Sequence, residues 1–135
     1  MRKIKISYAD ITLLLLLISL KADTLTSKIN GGLDLEEENK NIKDLKKTIR
    51  LSIPQVFEEE FFKVLDYTHL KPKYYLEKVY NLDSKDKEIS LIKEEYELLT
   101  TLIKSNLFLV NKTTLGVSDI QYENLVTKIT NSPED

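Results

Sequence analysis

The sequence predicts an all-α protein, a compact bundle of about six helices in a single domain spanning residues 1–135. Three observations predict it. Only three Gly and three Pro occur in the whole chain, too few for the many tight turns of an all-β fold. Apolar residues recur at three- and four-residue spacing through most segments, the period of a helix with one buried face. Three segments also open with residues that cap helix N-termini.

The first start is Ser7-Tyr8-Ala9-Asp10, a hydroxyl followed three residues later by a carboxylate, with Ile6 and Ile11 flanking it as an apolar staple. The predicted helix runs over residues 7–29 and stops at Asn30-Gly31-Gly32, where glycine accepts the left-handed conformation that closes a helix. Its stripe is Ile11, Leu14, Ile18, Ala22, Leu25 and Ile29. Leu13, Leu16, Leu17 and Leu20 widen it until only Thr12, Ser19 and Asp23 keep a polar strip. A helix apolar nearly all round is buried on several sides, so this one is either the centre of the bundle or a subunit interface. The apolar run 11–20 also resembles a signal-peptide core. However, Asp10 and Lys21 bracket it, no small-residue cleavage site follows, and a membrane-spanning helix needs about 20 apolar residues. A core helix is the expectation.

A second helix is predicted over residues 35–51 with the thin buried edge Ile42, Leu45, Ile49, as suits an outer helix with a solvated face. Ser52-Ile53-Pro54-Gln55 opens a third over 53–68, since proline fits a first turn whose N–H has no partner anyway. A short fourth helix starts near Pro72. Residues 81–88 read as a polar loop. A fifth helix is predicted over 90–111, and Ser118-Asp119-Ile120-Gln121, stapled by Val117 and Tyr122, opens a sixth over 119–130. Residues 1–51 thus form a first helical hairpin, 52–82 a central aromatic pair of helices, and 88–131 a second hairpin.

Shifting the chain by 85 positions lays the first hairpin over the last: Ile11, Leu14, Ile18, Ala22 and Leu25 fall on Tyr96, Leu99, Ile103, Leu107 and Val110. Beyond the glycines an offset of 80 brings Ile42, Leu45 and Ile49 onto Tyr122, Leu125 and Ile129. The match fits either an internal duplication or the chance alignment of two leucine-rich helices, because two copies give a far weaker signal than a repeat array.

Composition narrows function chiefly by exclusion. The net charge of −2 gives neither the basic excess of a nucleic-acid binder nor the acidity of a nucleic-acid mimic. Locally the signs separate, with five Lys/Arg against two Asp over 1–33 and three Lys against six acids over 83–97. The absence of cysteine rules out disulfides and thiolate sites and points to a reducing, cytoplasmic home. The single histidine, His69, sits three residues after Asp66, half of a carboxylate–imidazole metal motif whose second half the chain does not supply. Glu58-Glu59-Glu60 and Glu94-Glu95 are neighbours in sequence and so point apart on a helix rather than converging on a proton or metal. No phosphate loop, nucleophile elbow or zinc-protease motif occurs. The expectation is a non-enzymatic protein with no cofactor or metal.

Leu115-Gly116-Val117-Ser118-Asp119 resembles the turn of a helix-turn-helix, yet Lys112 stands where that motif needs a small residue. The helix that would read DNA carries Asp119 and Glu123 before its one cation, Lys128. The richest surface lies elsewhere. Seven of the eleven aromatics fall in residues 57–80, and Tyr67, Lys71, Lys73, Tyr74, Tyr75, Lys78 and Tyr80 alternate aromatic with basic groups. Tyrosine tolerates both water and contact, which enriches it at interfaces. These seven residues are the expected partner-binding set. The function that follows is a small protein-binding module, an inhibitor, antitoxin, immunity or phage-type accessory protein that occludes its partner. The alternatives are a nucleic-acid-associated regulator using the 67–80 surface, and a structural protein that self-associates through the first helix.

Overall fold

The computed structural model describes residues 1–51, 86–114 and 117–132, and the account below concerns these. They are mostly helical, with one small sheet. In chain order they form strand β1 (Arg2–Ser7), helix α1 (Tyr8–Asn30), helix α2 (Glu36–Arg50), strand β2 (Asp86–Leu91), helix α3 (Lys93–Ile103), helix α4 (Asn106–Thr114) and helix α5 (Asp119–Thr130).

Two expectations are corrected here. The protein is not purely α: β1 and β2 pair antiparallel, Arg2 opposite Leu91, Ile4 opposite Ile89 and Ser7 opposite Asp86. Lys3-Ile4-Lys5-Ile6 and Glu88-Ile89-Ser90-Leu91 alternate with the period of a half-buried strand, so Ile4, Ile6, Ile89 and Leu91 face the core while Lys3, Lys5, Glu88 and Ser90 face water. Residues 86–88, expected in a loop, therefore belong to a strand. Second, the helix expected over 90–111 is two helices. After Lys104 the hydroxyl of Ser105 accepts the N–H of Phe108 at 3.4 Å and so caps a new helix in mid-stripe. The described residues hold five helices, two of them from that one segment. The helices expected over 53–68 and after Pro72 lie outside the described residues.

The other helices follow their sequence signals. At the start of α1, Asp10 N–H donates to Ser7 Oγ (3.2 Å) and Ser7 N–H donates to Asp10 Oδ2 (3.3 Å). The helix closes where Gly31, Gly32 and Leu33 donate their N–H groups to the carbonyls of Ser27, Ile29 and Lys28, with Gly32 at φ 99°. A side chain at that φ is strained, which is why glycine stands there. In α5 the same reciprocal cap joins Ser118 to Gln121. For α2, three acids in the first turn do the work of a capping side chain through their attraction to the helix dipole.

The core is one cluster centred on α1. Leu13 to Ile18 are consecutive and each is at most 2% exposed, so α1 is covered on all sides along its first half. Of the two places open to it from sequence, α1 takes the centre of the bundle. The inner face of the sheet, Ile42, Leu45 and Ile49 of α2, Leu99, Leu102 and Ile103 of α3, Phe108 of α4, and Tyr122, Leu125 and Ile129 of α5 complete the cluster. No helix among the described residues is long and apolar enough to cross a membrane.

Candidate functional site

The seven residues expected to bind a partner, Tyr67, Lys71, Lys73, Tyr74, Tyr75, Lys78 and Tyr80, all lie outside the described residues, as do His69 and Glu58–Glu60. Three other surfaces are formed by described residues.

The first is an open concavity of about 510 Å³ between the water-facing side of the sheet and the end of α5, lined by Lys3, Lys5, Glu88, Thr127, Lys128, Asn131 and Ser132. Strand alternation puts Lys3 and Lys5 on the same side, and helical spacing puts Thr127, Lys128 and Asn131 on one edge of α5. Lys128 Nζ stands 3.4 Å from Asp10 Oδ2 and so ties α5 to the cap of α1. Helix C-termini ordinarily leave carbonyls facing outward. Here donors from elsewhere meet them: Tyr96 OH reaches the carbonyls of Ile129 (3.1 Å) and Thr130 (3.4 Å), and Ser132 Oγ donates to that of Ile129 (2.8 Å). Arg2 lies 4.5 Å above the Tyr96 ring and donates to the Ser132 carbonyl at 2.8 Å, fixing the residues just after α5 to β1.

The second concavity, about 550 Å³, lies between α2 and the start of α3 and is acidic: Asn41, Asp44, Thr48, Ile92, Glu94, Glu95 and Leu98. Glu95 is already engaged. It accepts the Ile92 N–H at 3.3 Å and the Thr48 hydroxyl at 2.5 Å. Among the described residues no group of three or more potential ligands could hold a metal ion.

The third is the α4–α5 corner. Lys112 is 4% exposed, its ammonium bonded to Asp119 Oδ1 and 5.5 Å from the Tyr122 ring centre. The Lys112 hydrogen bond, reinforced by its charge, holds the Asp119 carboxyl below the ordinary carboxylate value. Tyr122 OH donates to the Ile103 carbonyl at 2.6 Å, meeting an end carbonyl of α3, and burial pushes its phenol upward, so it stays a donor at any physiological pH. Tyr122→Phe should therefore cost about 1–2 kcal/mol, readable as an earlier urea midpoint with an unchanged slope. On α4 the lysine thus holds the position where the helix-turn-helix resemblance needs a small residue, and the exposed residues of α5 include Asp119 and Glu123 against Lys128. Around the corner Leu109, Val110 and Ile120 are 41%, 64% and 72% exposed.

Sequence reasoning missed the first concavity because one of its two walls is the sheet, which the sequence reading did not predict. The alternation of Lys3-Ile4-Lys5-Ile6 was the available signal. No family model matches the chain, and no curated protein or solved structure shows significant similarity to it.

Proposed function

We propose that this chain is a small binding module that acts by occluding a protein partner, in the manner of an inhibitor, antitoxin, immunity or phage-type accessory protein, and carries out no chemistry of its own. The observation that supports this most is the contrast between a sealed core and aliphatic side chains left in water at the α4–α5 corner, Leu109, Val110 and Ile120. Large apolar side chains left exposed on helices that follow one another in the chain are candidates for a contact surface. The aromatic and basic residues 67–80 supply a second contact set on sequence grounds, and a reducing, cytoplasmic setting suits a cysteine-free chain. Self-association through α1 is not favoured, because its apolar stripes are already covered.

The test is the double variant Tyr74→Ala/Tyr75→Ala, compared with the unaltered chain by crosslinking in the native host followed by mass spectrometry. Thermal stability should stay nearly unchanged while the crosslinked partner disappears. Retention of the same partner at the same yield would remove Tyr74 and Tyr75 from the contact. A salt series separates the nucleic-acid reading, since phosphate contacts weaken steeply with salt and a tyrosine-rich protein contact does not.

We also propose that the halves are two copies of one β–α–α unit. Under the 85-residue shift Ile4 falls on Ile89, its own ladder partner, and the start of α1 falls on the start of α3. Asp10 falls on Glu95, and each accepts the N–H of the residue three before it. The contact of Lys128 with Asp10 is matched by that of Thr48 with Glu95, the two halves reaching for each other's caps in turn. The copies diverge where α3 breaks from α4 and where buried Leu25 meets exposed Val110.

A further inference from the structure

We propose that Asn30 is a modification site, where the chain converts its own side-chain amide to aspartate and isoaspartate at a rate set by the cap of α1. The proposal is independent of the protein-binding reading and of the duplication. Asn30-Gly31 is the one Asn-Gly pair in the sequence. Asn30 is exposed at the last position of α1, open to water. Gly31 has no Cβ, so nothing shields its backbone nitrogen. That nitrogen is spaced to close a five-membered ring on the Asn30 side-chain carbonyl. The step balances with water alone. The Gly31 nitrogen, its proton lost to solvent, attacks Asn30 Cγ. An N–Cγ bond forms, the Cγ–Nδ2 bond breaks, and Nδ2 takes up a proton and leaves as ammonia. Water then opens the succinimide ring. Cleavage at Cγ gives aspartate, and cleavage at the main-chain carbonyl of residue 30 gives isoaspartate, whose backbone runs through Cβ and Cγ.

The fold holds this reaction back. On a helix the Cα–Cβ bond tilts toward the N-terminus, which carries the Asn30 amide away from the nitrogen of the next residue. Gly31 N–H is also committed to the Ser27 carbonyl at 3.1 Å, with Gly32 on Ile29 at 2.9 Å and Leu33 on Lys28 at 3.1 Å. Ring closure therefore waits until the cap opens, and opening a helix end costs less than unfolding the domain. The two glycines have different parts in this. Gly32 at φ 99° cannot carry a side chain without strain. Gly31 is at φ −81°, and a Cβ there would stand at ordinary contact distance, 3.4 Å, from the Lys28 carbonyl oxygen. The cap depends on Gly32, and the reactivity on Gly31. Either product adds a negative charge at the end of α1, where the helix dipole is already negative. Isoaspartate also lengthens the main chain by one methylene, which draws Gly31, Gly32 and Leu33 off the carbonyls they bind. The turn between α1 and α2 thus loosens as the molecule ages.

The test is a time course of the full chain in neutral buffer and in concentrated urea, read by peptide mapping that distinguishes isoaspartate from aspartate by mass spectrometry. Asn30 should convert first in both, while Asn41, equally exposed on α2 but followed by Ile42, stays unchanged over the same period. Conversion should run about tenfold or more faster in urea, each tenfold corresponding to about 1.4 kcal/mol of cap opening. Gly32→Ala, which strains the cap, should raise the rate in buffer toward that in urea. Gly31→Ala, which the backbone accepts, should keep the thermal midpoint and slow conversion in both solutions. The converted chain, separated by ion exchange on its added charge, should exchange the amides of residues 31–38 faster than the unconverted chain. Conversion no faster at Asn30 than at Asn41, or undiminished in Gly31→Ala, would overturn the site. Equal rates in buffer and urea would remove the cap from its control, and unchanged amide exchange would remove the loosening of the turn.

Discussion

Leu14→Ala is expected to lower stability by about 2–5 kcal/mol, a large part of the 5–15 kcal/mol typical of a domain. Leu14 is fully buried near the middle of the most enclosed stretch of α1. Its neighbours on the helix, Leu13 and Leu15 to Ile18, are equally enclosed, so none can swing in to fill the void. The cost rises with the cavity left behind, and here the cavity stays. Urea denaturation with a matched Leu33→Ala control on an exposed leucine measures it, and the control should shift the midpoint little. A loss for Leu14→Ala no greater than for Leu33→Ala would contradict a core centred on α1.

The second large effect concerns α4. That helix of nine residues is fastened to the core through Phe108, which is fully buried, and Lys112, while Leu109 and Val110 point outward. Phe108→Ala should cost about 3–5 kcal/mol globally if α4 unfolds with the rest of the chain. The burial pattern indicates a different division. With its one buried ring gone, α4 should open by itself, so its amides exchange rapidly while those of α1 keep most of their protection. Hydrogen exchange resolved by residue distinguishes the two, and uniform loss across α1 and α4 would show that α4 is an integral part of the cooperative unit.

Much of the helical framework was legible because its signals are local. Ser7 with Asp10, Ser118 with Gln121, and Gly31-Gly32 each fix a helix end within a few residues, and all three lie where the sequence places them. The stripe Ile42, Leu45, Ile49 is buried as its spacing requires. The sheet was not legible for the opposite reason. Four residues of alternation in Lys3-Ile4-Lys5-Ile6 are too short to stand out, and the strand that gives them meaning lies in residues 86–91. The break before α4 was hidden because Leu99, Ile103, Leu107 and Val110 keep helical spacing across it. Ser105 is a cap, but nothing in the apolar pattern announces it. Of the candidate sites, the tyrosine and lysine residues 67–80 could be picked out by composition alone. The lysine-lined hollow could not, since it exists only once two distant strands have met.

That meeting sets an order on biosynthesis. When Arg2–Ser7 leaves the ribosome, its partner has not been translated, and the ladder cannot start until Asp86 emerges or be completed until Leu91 does. Throughout that interval the leucines of Tyr8–Asn30 have α2 to pack against, but α3, α4 and α5, which complete the cluster, come later still. Closing so long a loop slows the final step more than it weakens the finished protein. The chain is therefore most exposed to chaperones and proteases while it is being made, and least once β1 and β2 are joined.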